Sequence, residues 1–323
     1  MLSKPDVTCI GEIIVDFVST KKGVSLSDAP AFMKLPGGAP ANLAVGLVRL
    51  GVPTAFIGRV GDDSFGQYLC GELRKIGVMS GGIVFDKQHK TRLAFVSLTP
   101  SGERFFEFWE SQPADIQLRF SDVDLSTLRE SKIIHISSFL LLKEPARSSL
   151  IQIISEFQGK ECLISFDPNI RLDLWKTETK AKMLMMKVIK FTHILRLNHQ
   201  EASFLTGLSG IEEAAKQLLH AGPEIVVITR GERGCYFRTK NVDGYADGFS
   251  VDAVDTTGCG DGFLAGLLQG LLGHDLKIDE LSKEELHDIC RYANAVGALV
   301  ATRPGAITAL PDKETVKQFL EKL

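Results

Sequence analysis

Val254-Asp255-Thr256-Thr257-Gly258-Cys259-Gly260-Asp261-Gly262-Phe263 packs two threonines, a Gly-x-Gly turn and two carboxylates into ten residues. Gly258 and Gly260 let the backbone fold tightly and turn its N–H groups toward one point. The apolar, small-residue segment from Phe263 to Leu272 reads as a buried helix. The turn then becomes a helix N-terminus, where N–H groups and the helix dipole attract an anion. A carboxylate in that first turn would repel a bound phosphate. Asp261 makes sense there as a base that takes a proton from a hydroxyl. The N–H groups of Gly258, Cys259, Gly260 and Asp261 would meanwhile hold a transferring phosphoryl group. A capped helix start with an Asp serving the dipole uses the same residue types. The Gly-x-Gly-Asp packing beside Thr256 and Thr257 favours chemistry.

A second stretch, Gly37-Gly38-Ala39-Pro40-Ala41-Asn42, precedes an apolar run from Leu43 to Leu50. Two glycines allow a substrate close to the backbone, and Asn42 offers a donor and an acceptor to a polyol. A turn with an N-cap Asn is the plainer reading. Asp167-Pro168-Asn169-Ile170-Arg171 follows an apolar run, Leu163 to Phe166. Pro168 ends that strand and presents Asn169 and Arg171, a side chain suited to phosphate or substrate oxygens. A salt bridge from Arg171 to Asp167 or Asp173 is the structural alternative.

These residues need elements to position them. The second half alternates β-rich runs (Ile133 to Ile136, Leu163 to Phe166, His193 to Leu197, Ile225 to Ile228) with helical patterns (Ala146 to Phe157, Lys180 to Lys190, Ile211 to Leu219). Such alternation marks a parallel sheet wrapped by helices, with ligands beyond the C-terminal strand ends. Asp167, Asn169, Asn198 and Thr229 fall there. In the first third, Glu12 to Val18 and a hairpin of Arg92 to Leu98 and Arg104 to Trp109 turning at Pro100-Ser101-Gly102-Glu103 read as a small projecting sheet. The expectation is one α/β domain over 1–323, with a β lid from segments of about 12–36 and 92–120.

Composition excludes several classes. A net charge of −3 over 323 residues makes no electrostatic case for nucleic acid or an anionic membrane. No apolar run approaches the ~18 residues of a membrane span. The six cysteines form no C-x-x-C pair and the seven histidines no H-E-x-x-H, so a structural zinc is not expected. With no signal peptide before Val7, the reading is a cytoplasmic protein.

The stretch around Asp261 resembles the second signature of the PfkB, or ribokinase-like, sugar kinase family, and Gly37 to Asn42 resembles its first. Cys259 stands where that family more often has Ala. Asp167-Pro168-Asn169-x-Arg171 through Leu174-Trp175, the Gly11-Glu12 opening, Glu107-Phe108-Trp109 and Pro113-Ala114-Asp115 look most like the fructokinases within it. Trp109-Glu110 departs from their common Tyr-Arg. The resemblance implies a three-layer fold with a mostly parallel central sheet flanked by helices, plus a small β-sheet lid. It implies transfer from Mg-ATP to the primary hydroxyl of fructose, with Asp261 as base. Asp16, Gly37, Gly38, Asn42 and Arg171 would bind substrate with Arg104 and Phe106 of the hairpin. Asn198, Thr229, Gly231, Gly234 and Asn294 would join Gly258 and Gly260 at the nucleotide. Glu201, in Asn198-x-x-Glu201, would reach magnesium through water, although the same spacing is a capping box. The backbones of Asp255, Thr257, Val300, Arg303 and Gly305 would hold potassium, and the lid would form a homodimer. Other substrates of the same fold (2-keto-3-deoxygluconate, ribose, a nucleoside) and a non-catalytic partner-binding protein stay open. A Rossmann dehydrogenase is disfavoured by Phe263 at the third glycine position.

Overall fold

Near-continuous apolar runs become strands buried on both faces, and Ser137, Asp167, Asn198 and Thr229 fall at the C-terminal ends of four of them. A computed structural model describes residues 4–98, 104–109 and 112–322, with the side chains at 98 and 104–106 outside the description. The chain opens with β1 (Val7–Ile10), β2 (Ile14–Ser19), β3 (Phe32–Gly37), α1 (Ala39–Arg49), β4 (Thr54–Gly61) and α2 (Ser64–Ile76). β5 (Met79–Asp86), β6 (Leu93–Leu98), β7 (Arg104–Phe108), α3 (Leu125–Glu130) and β8 (Ile133–Ser137) follow. Next come α4 (Ala146–Phe157), β9 (Leu163–Asp167), α5 (Glu178–Ile189), β10 (Ile194–Asn198), α6 (His199–Thr206) and α7 (Ile211–His220). The chain ends with β11 (Ile225–Thr229), β12 (Cys235–Thr239), β13 (Asp243–Ala246), α8 (Cys259–Gly273), α9 (Lys283–Ala301) and α10 (Lys313–Glu321).

Nine strands form the main sheet in the order β13-β12-β11-β10-β9-β8-β1-β4-β5. The seven from β11 to β5 run parallel, and β12 turns back antiparallel on β11. Neighbouring residues alternate between two cores: Cys9, Phe56, Ile133 and Ile194 face α1, α8 and α9, while Ile10, Ile57, Ile134 and Leu195 face α4 and α5. That is why these strands lack a polar alternation. The strand order reverses between β1 and β8, a switch point where an open parallel sheet leaves a crevice.

The small sheet has the order β3-β2-β6-β7, with β2 and β6 parallel and the β6–β7 hairpin antiparallel. The expected hairpin is present, and its expected turn lies outside the described residues. The sheet ends at Phe108, earlier than the expected boundary near 120. Residues 114–117 and 120–122 form 3₁₀ turns packed against β4 and α4.

Candidate active site

Gly258 sits at φ 77°, where a Cβ would lie 2.8 Å from that of Ala306. α8 begins at Cys259, so Asp261 is its third residue, and Gly262 N–H donates to the Gly258 carbonyl at 2.8 Å. First-turn N–H groups have no partner within a helix and face outward from its end; that of Cys259 donates to the Thr256 carbonyl at 3.3 Å, in the turn before α8. Glycines also set where that end stands. A Cβ at Gly262, Gly266 or Gly270 would come within 2.8, 2.8 or 2.7 Å of Val300, Ala293 or Ile289, all on α9. A Cβ at Gly46 of α1 would lie 2.9 Å from Ala265 of α8. α1 and α8 approach so closely that Asn42 Nδ2 donates to Asp261 Oδ2 at 2.7 Å. Asn42 is inside the first turn of α1, whose cap position is Gly38, so it is no N-cap. A carboxylate can only accept, which turns the Asn42 amide nitrogen toward Asp261 and leaves its Oδ1 buried without a protein donor among the described residues.

Burial pushes the Asp261 carboxyl up to about 6, the Asn42 bond and the Arg196 and Arg171 charges oppose that push, and Asp167 adds to it. The carboxylate is therefore ionised at neutral pH yet a better proton acceptor than an exposed Asp. Burial also pushes the Cys259 thiol up to about 12, so it fills its space as a neutral small side chain.

On one side of Asp261 lies a polar floor. Asp16, buried on β2, pairs in register with Leu35 and Ala94. A Cβ at Gly37 would press on the Asp16 carboxylate, and Gly38, at φ 104°, lies against the Glu12 carbonyl. Glu12 was not expected as a site residue. Its Oε1 accepts from Ala39 N–H and its Oε2 from Ser137 Oγ, both at 3.1 Å, tying the glycine loop to the end of β8. Burial, with Asp115 nearby, pushes the Glu12 carboxyl up to about 8. Arg92 Nε donates to Asp115 Oδ2 at 2.7 Å, both side chains are at most 5% exposed, and the guanidinium lies 5.1 Å from the Phe139 ring centre. The side chains of Arg104 and Phe106 lie outside the described residues, and Trp109 is 65% exposed.

On the other side opens a cavity of about 380 Å³ whose lining includes Thr229, Gly231, Gly234, Gly260 and Asn294. Asn294 donates to the carbonyls of Ala246 and Asp247 at 3.1 and 3.0 Å and so shapes the wall. Arg196 of β10 also lines it, donating from Nη1 to Asp167 Oδ2 at 2.8 Å and from Nη2 to Thr229 Oγ1 at 2.7 Å. Asp167 is thus bound by Arg196, and its Oδ1 accepts from Asn169 N–H at 3.1 Å. That bond supports Asn169 at φ 41° and the turn that brings Arg171 within charge range of Asp261. Arg196 escaped the sequence reading. Its one signal was a charge between Leu195 and Leu197 in a strand-like run.

Asn198 caps α6, and the expected capping box is present. Glu201 Oε2 accepts from Asn198 N–H at 2.8 Å and its Oε1 from Ile170 N–H at 2.7 Å. Burial, then Asp167, pushes the Glu201 carboxyl above its usual range. Among the described residues no three His, Cys, Asp or Glu side chains converge as a metal cage. What fits is an ion held mainly by a ligand's phosphates, with Glu201 behind water. Asp255 joins the turn at 254–257 to the loop after α9. Its Oδ1 accepts from Thr257 N–H at 3.0 Å, and its Oδ2 from Gly305 N–H at 2.7 Å. The N–H groups of Val254 and Asp255 donate to the Ala301 carbonyl at 2.8 and 3.2 Å, and that of Arg303 to the Val300 carbonyl at 3.3 Å, so the turn and the end of α9 are bonded together.

The family model of the pfkB carbohydrate kinases matches residues 4–313. Probable fructokinase-4 of Arabidopsis thaliana is 40% identical over 316 residues, covering 98% of this chain and 96% of that protein. A fructokinase of Solanum tuberosum is 40% identical over 321 residues, 99% of this chain and 97% of its own length. Among solved structures, a fructokinase from Xylella fastidiosa with bound ATP superposes with a TM-score of 0.89 at 29% identity, covering 98% of each chain. A double mutant of Vibrio cholerae fructokinase bound to fructose, ADP and potassium has a TM-score of 0.86 at 31% identity, covering 98% of this chain and 99% of that one.

Proposed function

The chain belongs to the pfkB family of carbohydrate kinases, and from that premise we infer that it phosphorylates the primary hydroxyl of D-fructose with ATP, giving fructose 6-phosphate. One observation carries the reading: Asp261 lies in the first turn of α8, bonded to Asn42 of α1 and next to Gly260, which lines the cavity. Fructose rests on Asp16, Gly37, Gly38 and Asn42, with the Asn42 Oδ1 accepting from a hydroxyl and Arg171 close by. Asp261 takes the proton of the primary hydroxyl as its oxygen attacks the γ-phosphorus. The first-turn N–H groups of α8 face the charge that grows on the transferred group. Magnesium, when bound, neutralises phosphate charge. The nucleotide's own oxygens and water would hold it, with Glu201 outside them. The small sheet acts as a lid that excludes water, so that the phosphoryl group goes to sugar and not to solvent.

The same reading includes potassium at the junction organised by Asp255 and a homodimer through the lid. Met33 on β3, 43% exposed, and Trp109 just past the end of β7, 65% exposed, support the dimer. A cytoplasmic location is proposed with them, on six cysteines all present as free thiols. Among the described residues no helix is long and apolar enough to cross a membrane.

The test is ATP consumption, with magnesium and potassium, against fructose, ribose, glucose, 2-keto-3-deoxygluconate and adenosine. Fructose is expected to lead, with the product phosphorylated at the primary hydroxyl. Preference for another member moves the substrate assignment, and bound nucleotide without turnover on any of them points to the non-catalytic reading. Asp261→Asn is expected to lower turnover about 10²- to 10⁴-fold while ATP still binds; near-normal turnover would refute its role as base.

A further inference from the structure

The cavity beside Asp261 must accept a polyphosphate in a neighbourhood already crowded with carboxylates. Asp167, Glu201 and Asp261 all bear on Arg196. Burial disfavours the charge on Arg196, but these three carboxylates outweigh it and hold the guanidinium charged. The α8 N–H groups carry only partial charge. A full positive charge on the cavity wall is needed to bring phosphate next to a base that repels it.

Arg196 is placed for that task. A Cβ at Gly260 would fall 2.6 Å from its Nη1, 2.9 Å from its Nη2 and 3.0 Å from its Cζ, so the guanidinium lies flat against the residue whose N–H helps form the anion hole. Of its five N–H groups, one goes to Asp167 and one to Thr229. Its Nε is buried without an acceptor among the described residues. The donor set is incomplete without a ligand, in a planar fork that suits phosphate. The anchors lie at the ends of β9 and β11, with Arg196 itself on β10, so three adjacent strands aim one side chain at the phosphate end of the cavity.

We propose that Arg196 binds the terminal phosphates of the nucleotide directly and accompanies the transferring group, the cationic partner to the α8 N–H groups. The proposal rests on the kinase reading above. It also explains Gly260 in a second way: any side chain there would displace the guanidinium, whether or not the backbone could tolerate it.

The test is calorimetric binding of Mg-ATP and of adenosine to the full chain, wild type and Arg196→Gln. If Arg196 touches phosphate, Mg-ATP weakens about 10- to 100-fold, adenosine changes less than about twofold, and turnover falls with ATP affinity. Equal losses for ATP and adenosine would mean that Arg196 only shapes the cavity, and unchanged ATP affinity would overturn the proposal outright. Arg196→Gln strands the Asp167 carboxylate, so Arg196→Gln/Asp167→Asn and Arg196→Lys are run beside it. Failure of the single variant to fold then leaves the same ATP-against-adenosine comparison. A wild-type chain that binds adenosine and ATP equally sinks the proposal. One that binds neither sinks the kinase reading with it.

Discussion

In the proposed reaction Asp261 is ionised before transfer and protonated just after it, and its surroundings fit that role. Its raised pKa, about 6, follows first from burial. The acid limb of kcat/KM is therefore expected near pH 6, well above the 3.8 of an ordinary Asp. A rate profile flat down to pH 4 would count against Asp261 as the titrating base. The linkage to stability has a definite sign. A carboxyl whose folded value is raised binds its proton more tightly when folded, so stability is lost as pH rises from the unfolded to the folded value. For Glu12 that window runs from 4.5 to about 8, and for Asp261 from 3.8 to about 6. Thermal melts of wild type are expected to weaken across this range, and Glu12→Gln is expected to remove the upper part of the slope. A wild-type melting temperature that is constant or rising from pH 5 to 8 would show that Glu12 is not held protonated.

At the scale of elements, α1, α8 and α9 are locked by absent side chains. Gly266 lies against the Ala293 backbone, 2.8 Å from where its Cβ would be. Gly266→Val is expected to part α8 from α9, costing roughly 1–3 kcal/mol of stability and a larger share of turnover than an equally destabilising change on α10. Denaturant melts and kcat measured together would check it, and a stability loss with full kcat would refute the link between this packing and the site. The packing was partly legible in sequence. The small-residue run after Asp261 read as a buried helix because glycine and leucine alternate there without charges. Glu12 and Arg196 were not legible as site residues. The partners that give them meaning, Ser137 and Asp167, are 125 and 29 residues away, and no local pattern encodes such pairings. The cap alternative for Asn42 arose because its neighbours signal a turn. Pro40 instead fits the first turn and moves the start of α1 back to Ala39.

For the whole molecule, the second half was readable because parallel strands buried on both faces leave unbroken apolar runs between amphipathic helices. α4, expected over Ala146 to Phe157, has those limits. The first third was harder, since its strands alternate between two sheets: β1, β4 and β5 join the main one, while β2, β3, β6 and β7 form the small one. Periodicity reports burial, and it does not report which sheet does the burying. The edge strands β3 and β7 set the expected assembly. Light scattering at micromolar concentration is expected to give a dimer mass, and Met33→Asp to give a monomer with weakened fructose saturation. A monomeric wild type would remove the dimer from the reading and leave the chemistry of Asp261 in place.

The row of glycines along α8 has one more consequence. Because Val300, Ala293 and Ile289 stand directly against the face that α8 turns to α9, the close packing resists a swing of its terminal dipoles as charge builds on the substrate. Water around a free phosphate must reorient at each event, at a recurring cost in free energy. Here that orientation is settled once, when the chain folds, and each later turnover finds the dipoles already facing the right way.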